Sequence, residues 1–409
     1  MTDKIVAYAY EFQEMDLGKD IFLIPYYMAK ELNKKLFYYY MVDKSVHNLP
    51  GKNRGVKFIK AKNNKQWAFL VKMIRESYDA DILFIKGCSA IHMLLAFVYK
   101  CINPNGKVVS FADMEPSQAL ELSNNDFHFS GGFIGKLKDK MTNFYFRNST
   151  CLVANTSSYK IMQKLFERKR WTGLLHFYPC LDDELFHSYG LSRKAFDEKE
   201  NVIVCVGRIG CYQKNTEMLL DALRKIDLKD WKIYMLGPMT NNFDLKEGND
   251  FQKVIDMFFK DCPQYKDKLI FTGMIYDTKV VFEYYNRAKV LLATARHEGF
   301  ANVYSQAAAF GCYIISTDVG GADVCSNNWQ FGIKLKQDDS VGLAKVLEDL
   351  VCGKLKIPQG KTLSLEEMSY AYRVNRILLP KMGFSPLAVS YNLKNEHKTL
   401  YRYLDPKLQ

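Results

Sequence analysis

AKVLLATARHEGFANVYSQAAAFG, residues 288–311, changes its structural period partway along. AKVLLAT (288–294) is a continuous apolar run of strand length. ARHEGF (295–300) reads as a turn. ANVYSQAAAF reads as a helix, with Gly311 at the position after its C-cap, where a left-handed residue commonly closes a helix. A strand apolar on both faces and followed at once by a helix is the repeating unit of a parallel sheet covered by helices.

The same unit recurs outward in both directions. Strand-like runs occupy 4–10, 36–42, 56–61, 81–87, 107–113, 151–156 and 174–179, and then 201–208, 231–237, 267–273, 288–294 and 312–318. Helical patterns such as IFLIPYYMAKELN and SAIHMLLAFVYK lie between most of them. LSRKAFDEKEN (191–201) is polar and charged and precedes a fresh β-run, which marks a linker. The chain of 409 residues exceeds what one core usually supports. The expectation is an α/β protein of two Rossmann-like domains, 1–196 and 197–386, with a ligand cleft between the carboxyl ends of their strands. LAVSYNLKNEHKTLYRYL (387–404) reads as a helix with one apolar stripe, which would cap either domain, the stretch of about 387–409 crossing back to the first among the options.

Composition limits the class. Hydrophobic residues are 48% and charged residues 25%, a globular balance that excludes disordered and fibrous chains. Net charge is +12 and pI about 9.0, which suits polyanions such as nucleic acid, acidic lipid or phosphorylated ligands, or serves only solubility. None of the ten cysteines forms a CxxC pair, so thiol-redox motifs and zinc clusters lose support, and a reducing cytosol fits. MTDKIVAYAY runs straight into a strand-like stretch and does not read as a signal peptide. AIHMLLAFVY (90–99) is too short to cross a bilayer. The expected location is cytoplasmic, either free or peripheral on the inner membrane face.

Two motifs carry chemistry. In VGRIGCYQKN, Arg208 ends a strand and Lys214 opens a helix, so two cations converge where an anion is favoured. They suit a diphosphate, Arg208 gripping it bidentately; two solvated surface cations would read the same way. In HEGFANVYSQ, the N–H groups from Phe300 to Val303 are start-of-helix donors, able to dock a phosphate. Glu298 stands just ahead of them. It would repel a bare phosphate, so its natural partner is a hydroxyl-bearing group joined to that phosphate. Gln306, read as about two turns down the same helical face, suits vicinal hydroxyls such as those of a ribose. Sugar at Glu298, diphosphate at the helix start and ribose at Gln306 describe a nucleotide-sugar. The competing reading is a Glu that braces the turn and a Gln that faces solvent.

The pairing of VGRIGCYQKN with HEGFANVYSQAAAFGCYIISTDVGG, over 201 to about 336, resembles the donor half of the retaining family-four glycosyltransferases of the GT-B fold. That family shows G-R…K and then E-G-F followed by a second Glu. The resemblance implies a glycosyltransferase of hexosyl type, acting with retention. Arg208 and Lys214 would hold the diphosphate, Glu298 the sugar hydroxyls, and the backbone of Gly299, Phe300, Ala301, Asn302 and Val303 the phosphate and sugar. Backbone at Met274 and Ile275 would touch the base. It implies no metal and no cofactor beyond a nucleotide-sugar, UDP- or GDP-linked by family habit. Gln306 replaces the family's second Glu; a neutral amide still bonds ribose, more weakly.

In the first half, EMDLGKD (14–20) offers Gly18 to the donor phosphate or the acceptor, and Asp113 ends a strand within reach of the cleft. The resemblance gives Asp113 the acceptor hydroxyl; it would equally cap the turn that follows. Glu115 is a lesser candidate. The segment 131–170 carries nine Lys/Arg (136, 138, 140, 147, 160, 164, 168, 169, 170) against two acids (139, 167), with Phe133, Phe144, Tyr145, Phe146 and Tyr159 interleaved. It suits an anionic membrane surface, and so a glycan or lipid-linked acceptor of surface polysaccharide synthesis, or it is a packed helix with a solvated face. RNA would also fit the charge, but no nucleic-acid module accompanies it. A GT-B nucleotide-sugar epimerase and a degenerate protein that binds without turnover are the alternatives.

Overall fold

A computed structural model describes residues 3–43, 52–61, 66–124, 133–239 and 251–384. Two sheets form. The first contains β1 (Lys4–Phe12), β2 (Lys35–Asp43), β3 (Lys52–Asn53), β4 (Val56–Lys60), β5 (Ile82–Lys86), β6 (Lys107–Phe111), β7 (Ser149–Val153) and β8 (Leu174–His176). Its order is β3-β4-β2-β1-β5-β6-β7-β8, parallel except for the β3–β4 pair. The second contains β9 (Glu200–Val206), β10 (Lys232–Leu236), β11 (Leu269–Gly273), β12 (Ala288–Ala293), β13 (Tyr313–Thr317) and β14 (Gly332–Leu335), all parallel in the order β11-β10-β9-β12-β13-β14. The expected architecture is borne out, and every strand read from the sequence is present. β3 and β14 were not foreseen. β3 has two residues, and GIKL begins with a glycine and follows a turn, too short a run to show a period.

Both sheets are buried on both faces, which is why their strands read as unbroken apolar runs. In β1, Ile5, Ala7 and Ala9 enter one core while Val6 and Tyr8 enter the other. The first core is closed by α1 (Asp20–Glu31). The second is closed by α2 (Gln66–Glu76), α3 (Ala90–Ile102), α4 (Pro116–Asn124), α5 (Phe133–Asn148) and α6 (Thr156–Lys169). In the second sheet, helices include α7 (Asp183–Ser188), α8 (Thr216–Leu223), α9 (Phe251–Asp261), α10 (Thr278–Arg287) and α11 (Asn302–Ala309).

The chain does cross back, through residues 370–382. Tyr370, Ala371, Val374, Leu378, Leu379 and Met382 complete the core beneath α1. Tyr370 stacks on Tyr27, and the Asn375 amide donates to Glu31. The predicted helix at 387–409 lies outside the described residues. No helix among the described residues is long and apolar enough to cross a membrane.

Strand order fixes where a ligand can enter. β10 and β11 lie on one side of β9, and β12, β13 and β14 on the other. The order in which successive strands are added therefore reverses between β9 and β12, opening a crevice between the loops that follow them. The first sheet reverses in the same way between β1 and β5.

Candidate functional site

The loops after β9 and β12 hold VGRIGCYQKN and ARHEGF, so the second crevice brings the two motifs together. Lys214 Nζ donates to Glu298 Oε1, both side chains being largely shielded from water. Arg208 is exposed and donates to Gln213 Oε1. Gln213 in turn donates to the His297 carbonyl at 3.0 Å. The Thr294 hydroxyl donates to the carbonyls of Lys214 and Asn215 at 3.0 and 2.9 Å, fastening one loop to the other. Arg208, Lys214, Val303 and Tyr304 line a small cavity of about 40 Å³ over the strand ends. Two cations and a helix start thus line one recess, with the Glu298 carboxylate bonded to the Lys214 that lines it.

Three details differ from the sequence reading. Lys214 does not open a helix; α8 begins at Thr216 after Asn215, whose φ is +52°. Glu298 is not on the helical face of Gln306. α11 begins at Asn302, with Ala301 as N-cap, so Glu298 lies in the preceding loop and Gln306, half-buried, lies within the helix. The Ala301 N–H is also occupied, donating to Gly320 at 3.3 Å, which leaves Asn302 and Val303 as the first helical donors.

Met274 and Ile275 follow β11, Met274 exposed and Ile275 half-buried. Gly18 is exposed at the end of a 3₁₀ turn after β1. A Cβ there would meet nothing within 4 Å, so no protein atom demands glycine. Asp113 is exposed and comes across from the first sheet: its Oδ1 lies 3.5 Å from where a Cβ on Gly299 would stand. Glu115 faces His297 at 3.9 Å across the same gap. Among the described residues, no cluster of His, Cys, Asp or Glu has the arrangement of a metal site.

Two residues escaped the sequence reading. Asn155, at the end of β7, caps α6 by accepting from the Ser158 N–H at 3.0 Å. Its amide donates to the Gly299 carbonyl at 2.6 Å, pinning the second sheet's loop from the first. VANTSS carries the N-cap signal, but nothing in it announces the far partner. Asp20, at the start of α1, lies within the field of Asp113. Burial, and then Asp113, push its carboxyl up to about 7, and the Ile21 N–H at 2.8 Å only partly offsets them. Between 3.8 and about 7 the folded chain therefore holds a proton that the unfolded chain releases, and stability falls as pH rises through that window. Asp20→Asn is expected to raise the thermal midpoint at pH 8 by a few degrees, about 1–2 kcal/mol, and to leave it nearly unchanged at pH 4.

Phe300 links the loop to the crossing segment. It stacks on Tyr178 at 5.5 Å, and the Arg373 guanidinium covers the Tyr178 ring at 3.6 Å. Gly321, with φ of +90°, gives Phe300 its room: a Cβ would stand 2.0 Å from Phe300 Cε2. Gly321→Ala is expected to expel Phe300 from its stack on Tyr178 and to lower Tm by several degrees. Scanning calorimetry would check it.

The segment 133–170 forms α5, β7 and α6. Lys136, Lys138, Lys140, Arg147, Lys160, Lys164, Arg168 and Arg170 are exposed. Phe133 lies outside the described side chains, and the other four aromatics do not join them. Tyr145 and Phe146 are core, Tyr159 stacks on His176, and Phe144 packs edge-on against Phe97.

Residues 200–352 match the family model described as glycosyl transferases, group 1. The amylovoran biosynthesis glycosyltransferase AmsD of Erwinia amylovora is 25% identical over 146 residues. That alignment covers 35% of this chain and 37% of the relative, so the match spans little more than a third of that protein. Two solved structures share the whole architecture. The apo form of the lipopolysaccharide outer core galactosyltransferase WaaB aligns over 92% of this chain and 99% of its own, at 14% identity and a TM-score of 0.60. HepE of Anabaena, in complex with UDP and glucose, aligns over 92% and 95%, at 13% identity and a TM-score of 0.54. The motif order, the match over the second sheet and the two-sheet architecture agree: the chain has the GT-B fold, and its residues 200–352 are similar to the group 1 glycosyl transferases.

Proposed function

We propose that the protein transfers a hexosyl group from a nucleotide-sugar to a glycan or lipid-linked glycan, with retention of anomeric configuration. The observation that carries this reading is the convergence of Arg208, Lys214 and Glu298 at the β9–β12 crevice beside the start of α11, with Asp113 facing Gly299 across the gap. In this reading the donor diphosphate lies between Arg208, Lys214 and the N–H groups of Asn302 and Val303. Glu298 gives up Lys214 to the phosphate and takes sugar hydroxyls instead. The backbone of Gly299, Phe300 and Ala301 flanks the sugar, Gln306 bonds the ribose, and Met274 and Ile275 border the base. Gly18 lies toward the donor phosphate or the acceptor.

The bond from the anomeric carbon to phosphate breaks as the acceptor oxygen bonds to that carbon on the same face. The acceptor proton passes to the departing phosphate oxygen, and Asp113 orients the acceptor hydroxyl. Cations and helix dipole aimed at the leaving diphosphate supply charge stabilisation where it develops, so the reading assigns that task to Arg208, Lys214 and α11 and not to a metal. The similarity to AmsD, a glycosyltransferase of amylovoran biosynthesis, supports a role in polysaccharide biosynthesis; the reading sets that role in surface polysaccharide synthesis at the cytoplasmic membrane face. UDP is the first nucleotide to try, since the Anabaena neighbour of the same fold holds it, and GDP the second.

The test is nucleoside-diphosphate release from UDP-, GDP- and ADP-sugars, with Arg208→Ala in parallel and ligand-induced thermal shift on the same panel. Release from one donor that Arg208→Ala abolishes is the expected result. A sugar isomerised without transfer would favour the epimerase. No binding and no release from any donor would overturn the reading.

A further inference from the structure

α2 and α3 lie side by side over the first sheet, burying Leu70, Met73 and Ile74 from one and Met93, Leu95 and Tyr99 from the other. A helix with one face in a core ordinarily turns a polar face to water. These two do not. Trp67 is 67% exposed, Val71 65% and, at the end of α3, Ile102 42%. Between them runs an open groove of about 440 Å³, floored by Ile91, Leu94 and Val98, with Arg75 and the Tyr78 ring also lining it. A contiguous apolar surface of this kind marks an interaction site.

The surrounding charge says what kind. α3 packs against α5, Phe97 meeting Phe144 at 5.1 Å. α5 exposes Lys136, Lys138, Lys140 and Arg147 and carries one acid, Asp139. α2 adds Lys72 and Arg75 against Glu76, and α3 has Lys100 and no acid. A second copy of the chain would set these cations against themselves in a two-fold contact. An anionic bilayer meets both demands at once, accepting Trp and aliphatic side chains at the acyl boundary and cations at the phosphates.

The geometry points to a membrane-docking face on the first sheet's helical layer: the α2–α3 groove supplies the apolar contact and α5 the cationic one. The ligand is a bilayer rich in anionic headgroups. The inference deepens the transfer reading, on which it rests for its purpose, because docking would hold the cleft near a lipid-linked acceptor. It differs from the sequence expectation in its apolar part, which comes from α2 and α3 and not from the aromatics of α5 and α6.

The test is flotation of the full chain with phosphatidylcholine vesicles, pure or mixed with phosphatidylglycerol. The wild type is expected to float with mixed vesicles and not with pure ones. Trp67→Ser/Val71→Ser is expected to weaken that binding about tenfold or more, with near-UV circular dichroism and Tm retained. Of the four tryptophans, Trp171 and Trp231 are buried and Trp329 is half-buried. Mixed vesicles should therefore blue-shift the emission chiefly through Trp67, and Trp67→Phe should remove most of the shift even if the double variant is unstable. Three results would overturn the proposal: no binding to mixed vesicles, binding and emission shift untouched by these variants, or a concentration-dependent dimer that Trp67→Ser/Val71→Ser abolishes. Donor binding by thermal shift separates the two readings: its loss with docking intact sinks the transfer reading alone, and the reverse sinks this one alone.

Discussion

Lys214→Ala is expected to lower turnover of the productive donor by about 10²–10³-fold. Lys214 is largely shielded, its carbonyl is held by Thr294, and its ammonium is committed to Glu298. In the transfer reading proposed above, the substitution acts twice. It removes a preorganised cation from the place where the departing diphosphate gains charge, and it leaves Glu298 as an uncompensated carboxylate that repels that same charge. The second effect makes a double variant informative. Lys214→Ala/Glu298→Ala should bind nucleoside diphosphate more tightly than Lys214→Ala alone, although neither recovers turnover. A thermodynamic cycle over the four proteins gives the coupling directly. Arg208→Ala should lose activity to a similar degree with less effect on Tm, because Arg208 is exposed and its recorded partner, Gln213, is neutral.

Glu298→Gln is the second large effect, and its signature differs. Turnover is expected to fall about 10²-fold, since the amide cannot accept from sugar hydroxyls with the strength of a charged acceptor. Nucleoside-diphosphate affinity should hold or rise, because Lys214 is freed from its ion pair and a negative charge leaves the phosphate site. Loss of turnover with affinity retained, read by calorimetry beside a release assay, would place Glu298 on the sugar. Equal loss of both would make it a brace for the loop.

Much of this architecture is legible in the sequence, for a definite reason. A parallel sheet covered on both faces needs unbroken apolar strands, and such strands are conspicuous. VGRIGCYQKN and ARHEGF follow β9 and β12, so the order of the strands alone brings them together. What was hidden depends on contacts between distant segments. Ala301 loses its N–H to Gly320, and Asn155 reaches from β7 to Gly299. Asp20 lies within the field of Asp113 although the strands that precede them, β1 and β6, are separated by β5. The start of α11 at Asn302 also undid the shared helical face drawn between Glu298 and Gln306. In α5, Phe144, Tyr145 and Phe146 are consecutive and cannot share one helical face. Two of them are core, so their presence beside lysines said nothing about a membrane.

The central claim is that a diphosphate spans Arg208, Lys214 and the start of α11. Calorimetric titration with UDP and UMP, and with GDP and GMP, tests it most directly, on the wild type and on Lys214→Ala. The wild type is expected to bind one diphosphate at least about tenfold more tightly than its monophosphate, and Lys214→Ala should erase most of that difference while sparing the monophosphate. Equal affinity for the two, or a difference that survives in Lys214→Ala, would contradict the account.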